Sequence, residues 1–76
     1  MEHLAEFIVK NIVSNKDAVE ISKTENDEQV TIFVKVSSED IGKVIGKNGK
    51  IAQAIRSIVK TASNGESKKY IVKILD

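Results

Sequence analysis

The chain has no cysteine, one histidine, no tryptophan and no apolar run longer than three residues. Each absence removes a class of function. Without cysteine there is no disulfide, no thiolate metal site and no cysteine nucleophile. The single histidine, His3, cannot furnish a catalytic histidine pair or a three-histidine metal site, and reads as an exposed helix-start residue. The longest apolar runs, Phe7-Ile8-Val9, Ile32-Phe33-Val34 and Tyr70-Ile71-Val72, are too short for a membrane span or a secretory signal. Starting with Met and lacking such a signal, the sequence reads as a complete small cytoplasmic protein with no membrane contact. Its 76 residues give room for one small domain, which at this size buries only about 60–65% of its unfolded surface.

What is present is charge, unevenly placed. Residues 1–41 carry nine acids and four lysines, a net −5, whereas residues 42–76 carry eight bases and two acids, a net +6. Between Ile41 and Gly65 five bases (Lys43, Lys47, Lys50, Arg56, Lys60) meet no acid. A local positive zone on a nearly neutral chain fits an anionic partner met at one face; a merely solvated lysine face is the alternative.

Periodicity outlines the elements. Leu4, Phe7, Ile8 and Ile12 predict an amphipathic helix over about residues 2–14. Two alternating stretches, about 18–25 and 30–36, read as a hairpin across Asn26-Asp27-Glu28-Gln29, with Val30, Ile32, Val34 and Val36 on one face. Ser37-Ser38-Glu39-Asp40 reads as a hydroxyl cap followed by first-turn acids, opening a helix over 38–45. Ile51, Ala54, Ile55, Ile58, Val59 and Ala62 predict a longer helix over 50–63, and a last strand follows over 68–75. The order α-β-β-α-α-β makes an α+β fold: a three-stranded mixed sheet with helices on one face and the second and third strands parallel. If Tyr70, Val72 and Ile74 face the helices, then Phe33, Ile71 and Leu75 lie on the outer face, an apolar patch of the kind that marks a contact. Ala52 and Val59, at the border of the 50–63 helix, are the expected place for self-association.

Three of the four glycines fall in Gly42-Lys43-Val44-Ile45-Gly46-Lys47-Asn48-Gly49. This is no Walker A loop, because the gap is one residue short, Asn48 follows the lysine, and a helix precedes it. What remains is a Gly-x-x-Gly turn between two helices. Gly46 can end the first helix with positive φ, and Gly49 leaves room for a ligand backbone. The start of the next helix, with Lys43, Lys47, Lys50 and the neutral donor Asn48, then offers a place for a phosphate; a glycine-stopped helix–turn–helix corner that binds nothing is the alternative.

The run from Ile41 to Ile51, followed by Ile55, resembles the I-G-x-x-I-G-x-x-G-x-x-I signature of KH domains, with Ile51 one residue earlier than the commonest spacing. The α-β-β-α-α-β order is that of the type II, bacterial KH fold, and the resemblance spans essentially the whole chain. It implies a single KH domain clamping about four nucleotides of single-stranded RNA. The implied RNA-binding residues are Gly42, Lys43, Ile45, Gly46, Lys47, Asn48, Gly49 and Lys50, in a groove between the 38–45 helix and the edge of strand 30–36, with Ile45 and Val36 on its floor. Ile41, Val44, Ile51 and Ile55 read as core. RNA rather than single-stranded DNA follows from the resemblance alone.

Aromatic content agrees with a groove of this kind. RRM and OB modules stack bases on exposed rings, and three rings (Phe7, Phe33, Tyr70) are too few for stacking to be the main device. Sequence preference should therefore be weak. Glu25, Asp27 and Glu28 read as a solvated turn rather than a metal site, and no pair of residues resembles a catalytic one, so the expectation is a non-enzyme without cofactor or metal. Small bacterial KH proteins of this kind resemble partners of a larger KhpB/Jag-like KH/R3H protein. That likeness implies a homodimer or such a heterodimer, RNA-chaperone activity, and a link to cell-wall elongation and cell shape. The competing reading is a protein-interaction subunit whose glycine loop is only structural.

Overall fold

Strand β2 (Gln29–Lys35) runs through the middle of the structure, a computed structural model that describes residues 1–75. Strand β1 (Glu20–Glu25) pairs antiparallel on one side of it and strand β3 (Lys69–Leu75) parallel on the other, giving the order β1-β2-β3. Side chains alternate across a strand, so Val30, Ile32 and Val34 all face the helices, beside Tyr70, Val72 and Ile74 of β3. The hairpin is closed by Asn26, whose Oδ1 accepts the backbone N–H groups of Glu28 and Gln29, both at 2.8 Å.

Three helices cover that face: α1 (Glu2–Lys10), α2 (Ile41–Ile45) and α3 (Lys50–Ala62). The core is aliphatic, with Val9, Ile32, Val34, Val44, Ile55 and Val59 fully buried. Each such side chain contributes about 1.5–3 kcal/mol relative to exposure. Val36, just past β2, is buried in this core and so forms no groove floor.

The elements depart from the sequence reading at their ends and on their faces. Helix α1 stops at Lys10 rather than near 14, where the Asn11 side-chain amide takes the Phe7 carbonyl at 2.7 Å. It packs through Ala5 and Val9, small side chains that let it lie close on the sheet, with Val13 buried just past its end, and Phe7 is left 69% exposed. Lys16–Ala18 form a 3₁₀ turn, so β1 begins at Glu20 instead of 18. A second such turn, Ser38–Asp40, precedes α2. Helix α3 buries Ala52, Ile55 and Val59, whereas Ile51 and Ile58 stay 37% and 44% exposed. Ala52 and Val59 are thus core positions, not border ones.

Asp40 differs most from expectation. It is no solvated first-turn acid: only 1% of it is exposed. Its carboxylate accepts the backbone N–H groups of Asn15 at 3.0 Å and Ser14 at 3.1 Å, and the Ser37 hydroxyl at 3.1 Å. These bonds tie the α1–β1 connection to the start of α2. The N–H groups of Asn15 and Ser14 hold its carboxyl below the usual carboxylate range, helped by the Ser37 hydroxyl and the charge of Lys43, against the opposing effect of burial. A depressed folded pKa stabilises the fold above the unfolded value of about 3.9, and that stability is lost as pH falls through the folded value. Asp40→Asn should lower the melting temperature at pH 7 by roughly 5–10 °C. It should also flatten the fall in stability below about pH 4, as measured by thermal melts from pH 7 to pH 2.

Candidate nucleic-acid interface

The chain turns from α2 into α3 within four residues, Gly46-Lys47-Asn48-Gly49. Gly46 ends α2 with φ 75° and ψ 176°, its N–H on the Gly42 carbonyl at 2.9 Å. Beside it lies the first turn of α3. A Cβ on Gly46 would stand 2.8 Å from Ile51 Cβ and 2.9 Å from the Ile51 backbone nitrogen, and would run into Cγ1 as well. No side chain fits there. Asn48 (φ 58°, ψ 26°) and Gly49 (φ 76°, ψ 12°) are both left-handed, a region that Gly enters freely and Asn more readily than most residues. The two conformations turn one 3₁₀ turn, Lys47–Gly49, outward, and the side chains of Lys47 and Asn48 stand in solvent.

Helix α3 starts on Gly49 with no side-chain cap and no acid in its first turn, so nothing neutralises the positive end of its dipole. Lys47 and Lys50 flank that end, and among the described residues neither pairs with an acid. Lys43 is different. Its ammonium lies 3.7 Å from Asp40 and bonds the Ser14 hydroxyl, so it is partly neutralised and aimed at the α1–β1 connection. Ile45 is 39% exposed beside the turn, and the space above Gly42 is open, with nothing within 4 Å of where a Cβ would stand. Gly42, Ile45, Gly46, Lys47, Asn48, Gly49 and Lys50 thus share one corner, with Lys43 at its border. Of the positions read as core, Val44 and Ile55 are buried and Ile41 is partly so, whereas Ile51 is exposed as the lid over Gly46.

The strand edge expected at residues 30–36 is not there. Strand β2 is hydrogen-bonded on both sides, so it offers no edge; the free edge beside α3 belongs to β3. Arg56 marks it, donating from Nε to the Val72 carbonyl at 3.2 Å. A hollow of about 180 Å³ follows, lined by Arg56, Lys60, Tyr70, Ile71 and Val72. In the sequence Arg56 stood out only as one base of the positive zone; nothing there ties it to β3. No group of three His, Asp or Glu side chains among the described residues is placed to hold a metal.

A mixed sheet covered on one face, with a positive-φ glycine turn joining two helices on that face, defines a KH module with type II order. Residues 2–74 match the family described as KhpA/KhpB, KH domain. The chain is 48% identical over 75 residues to the RNA-binding protein KhpA of Caldanaerobacter subterraneus and 44% identical to that of Clostridium perfringens, in each case over 99% of this chain and all of the relative. The RNA-binding protein KhpA of Aquifex aeolicus is 34% identical, over all of this chain and 96% of its own length. The chain belongs to the KhpA/KhpB KH-domain family.

Two glycine substitutions separate packing from ligand space. Gly46→Ala meets both the left-handed backbone and Ile51, and should cost about 2–4 kcal/mol of stability. Gly42→Ala lies in helical backbone with open space above it, and should stabilise by about 0.5–1 kcal/mol while weakening nucleic-acid binding. Chemical denaturation paired with a binding titration checks both.

Proposed function

We propose that the chain binds single-stranded RNA, with the backbone of about four nucleotides running over Gly46–Gly49 and the bases toward Gly42, Ile45 and the edge of β3. The observation that carries this reading is the exposed Lys47 and Lys50, paired with no acid among the described residues, at an uncapped helix start held by a backbone that glycine and asparagine accommodate well. The relatives' printed function, RNA-binding protein, supports it. A groove lined by aliphatic side chains and phosphate donors reads few base edges, so sequence preference is weak and the activity is that of an RNA chaperone in the cytoplasm. No described helix is long and apolar enough to cross a membrane. The wider role proposed is RNA-level control linked to cell-wall elongation and cell shape, together with a KhpB/Jag-like KH/R3H partner.

Replacing both tip residues, Lys47→Asp with Asn48→Asp, should leave the melting temperature nearly unchanged, since both side chains are exposed. Binding should collapse, because two carboxylates then occupy the path of the phosphates. With two or three phosphate contacts, the native log–log salt slope should be about −1.4 to −2.1, from roughly −0.7 per phosphate. Fluorescence anisotropy with a short oligouridylate, at several salt concentrations, reads both. Wild-type affinity in the folded double variant would make the loop structural, and the interaction-subunit reading would replace this one.

A second observation favours a protein partner alongside RNA. Ile51 and Ile58 form an exposed stripe on α3, and a groove of about 440 Å³ between α1 and α3 is lined by Leu4, Ser57, Ile58, Thr61 and Ala62. Phe7, one turn beyond Leu4, is the most exposed large apolar side chain. This surface, rather than the Ala52 and Val59 flank, is proposed to seat a second KH module, either another copy or the KH/R3H partner. Ile58→Lys should then give a folded species sedimenting as an 8.4 kDa monomer where the native chain sediments as a dimer.

A further inference from the structure

The sheet face turned away from the helices takes no part in the corner just described. Strand register lays Ser22, Phe33 and Lys73 in one row across it, Thr24, Thr31 and Ile71 in the next, and Glu20, Lys35 and Leu75 in a third. Gln29 pairs with Lys69 at the near end. The centre is therefore a ring, Phe33, partly open to solvent, bordered by Ile71 and by Leu75, which is 43% exposed. Three lysines surround it. Among the described residues the one acid of this face, Glu20, is already paired with Lys35 at 3.8 Å, while Lys69 and Lys73 are exposed and pair with no acid.

An aromatic centre with unpaired lysines on its flank matches a particular chemistry. A purely apolar partner would leave Lys69 and Lys73 desolvated against nothing, whereas a single nucleic-acid strand supplies a flat base for the ring and phosphates for the ammonium groups. Adjacent strands lie about 4.8 Å apart, so the Lys73 stem starts next to Phe33 and its head reaches the backbone of a base resting on that ring. The exposed hydroxyls of Ser22 and Thr24 add neutral partners beside it.

We infer that the outer sheet face is a second single-stranded RNA site, with a base stacked on Phe33 and neighbouring phosphates held by Lys69 and Lys73. It rests on the RNA-binding reading above only for the kind of nucleic acid. With one site on each face, a single domain holds a longer strand, or two strands, at once.

The test is anisotropy with a tetrauridylate and a dodecauridylate, using Phe33→Leu, Phe33→Tyr and the Lys69→Gln/Lys73→Gln pair, with thermal melts beside them. Phe33→Leu and the lysine pair should each weaken dodecamer binding roughly 5- to 50-fold and leave tetramer binding unchanged. Phe33→Tyr, which keeps the ring, should bind as the native chain does. Should Phe33→Leu fail to fold, the lysine pair carries the test alone. On the Lys47→Asp/Asn48→Asp background, the dodecamer binding that remains should vanish on adding Phe33→Leu. Native dodecamer affinity in folded variants of the face overturns the proposal. So does a change from dimer to monomer caused by Phe33→Leu, which would make the face an interface between copies. If the loop double variant instead keeps native tetramer affinity while Phe33→Leu still weakens the dodecamer, the corner reading fails and the sheet site stands.

Discussion

Helices α2 and α3 meet across four residues because Gly46 has no side chain. The first turn of α3 occupies the space a Cβ would need, with Ile51 folded over it. From that contact follows the rest of the corner. The chain must leave α2 with positive φ, pass through two left-handed residues, and present Lys47 and Asn48 outward before α3 begins. Val44 on one side and Ile55 on the other, both buried against the sheet, fix the two helices so that the turn has little freedom to relax. The exposed cations are thus held by backbone geometry and packing, not by side-chain contacts that a ligand would have to break.

The electrostatics divide along the same line. Asp40 is buried and committed to the backbone of Ser14 and Asn15, and it draws Lys43 toward itself. Lys47 and Lys50, further along the chain, have no such acid among the described residues, and the helix start between them adds a partial positive charge. One carboxylate therefore organises the scaffold, while the adjacent lysines pair with no acid among the described residues. A net charge of +1 conceals this, since most acids lie in the first half of the chain.

Much of this was legible in the sequence, and the rest was hidden for identifiable reasons. The order of elements and the inward set Val30, Ile32, Val34, Tyr70, Val72 and Ile74 follow from alternation, which a strand displays locally. The glycine corner was legible because only a few residue types tolerate its backbone. Which arc of a helix is buried was not. The apolar arc of α3 covers nearly half its circumference, wider than the strip the sheet buries, so Ile51 and Ile58 could not be told from Ile55 and Val59 by hydropathy alone. In α1 the closer approach allowed by Ala5 and Val9 outweighed the larger Leu4 and Phe7. Asp40 looked like any first-turn acid, because its partners lie 25 and 26 residues away. The same distance problem hid the sheet edge beside α3: whether β2 is an edge depends on where β3 returns, and the Arg56–Val72 bond exists only once it has.

The central claim is that the Gly46–Gly49 corner meets the ligand as built, without rearrangement. Amide chemical-shift mapping with a single-stranded tetraribonucleotide tests it most directly. The largest changes should fall on Gly42 and on Gly46 through Lys50, with smaller ones along the β3 edge at Val72, and with Val44 and Ile55 scarcely moved. Changes that spare Gly46–Lys50, or that spread through the Val44 and Ile55 core, would contradict it.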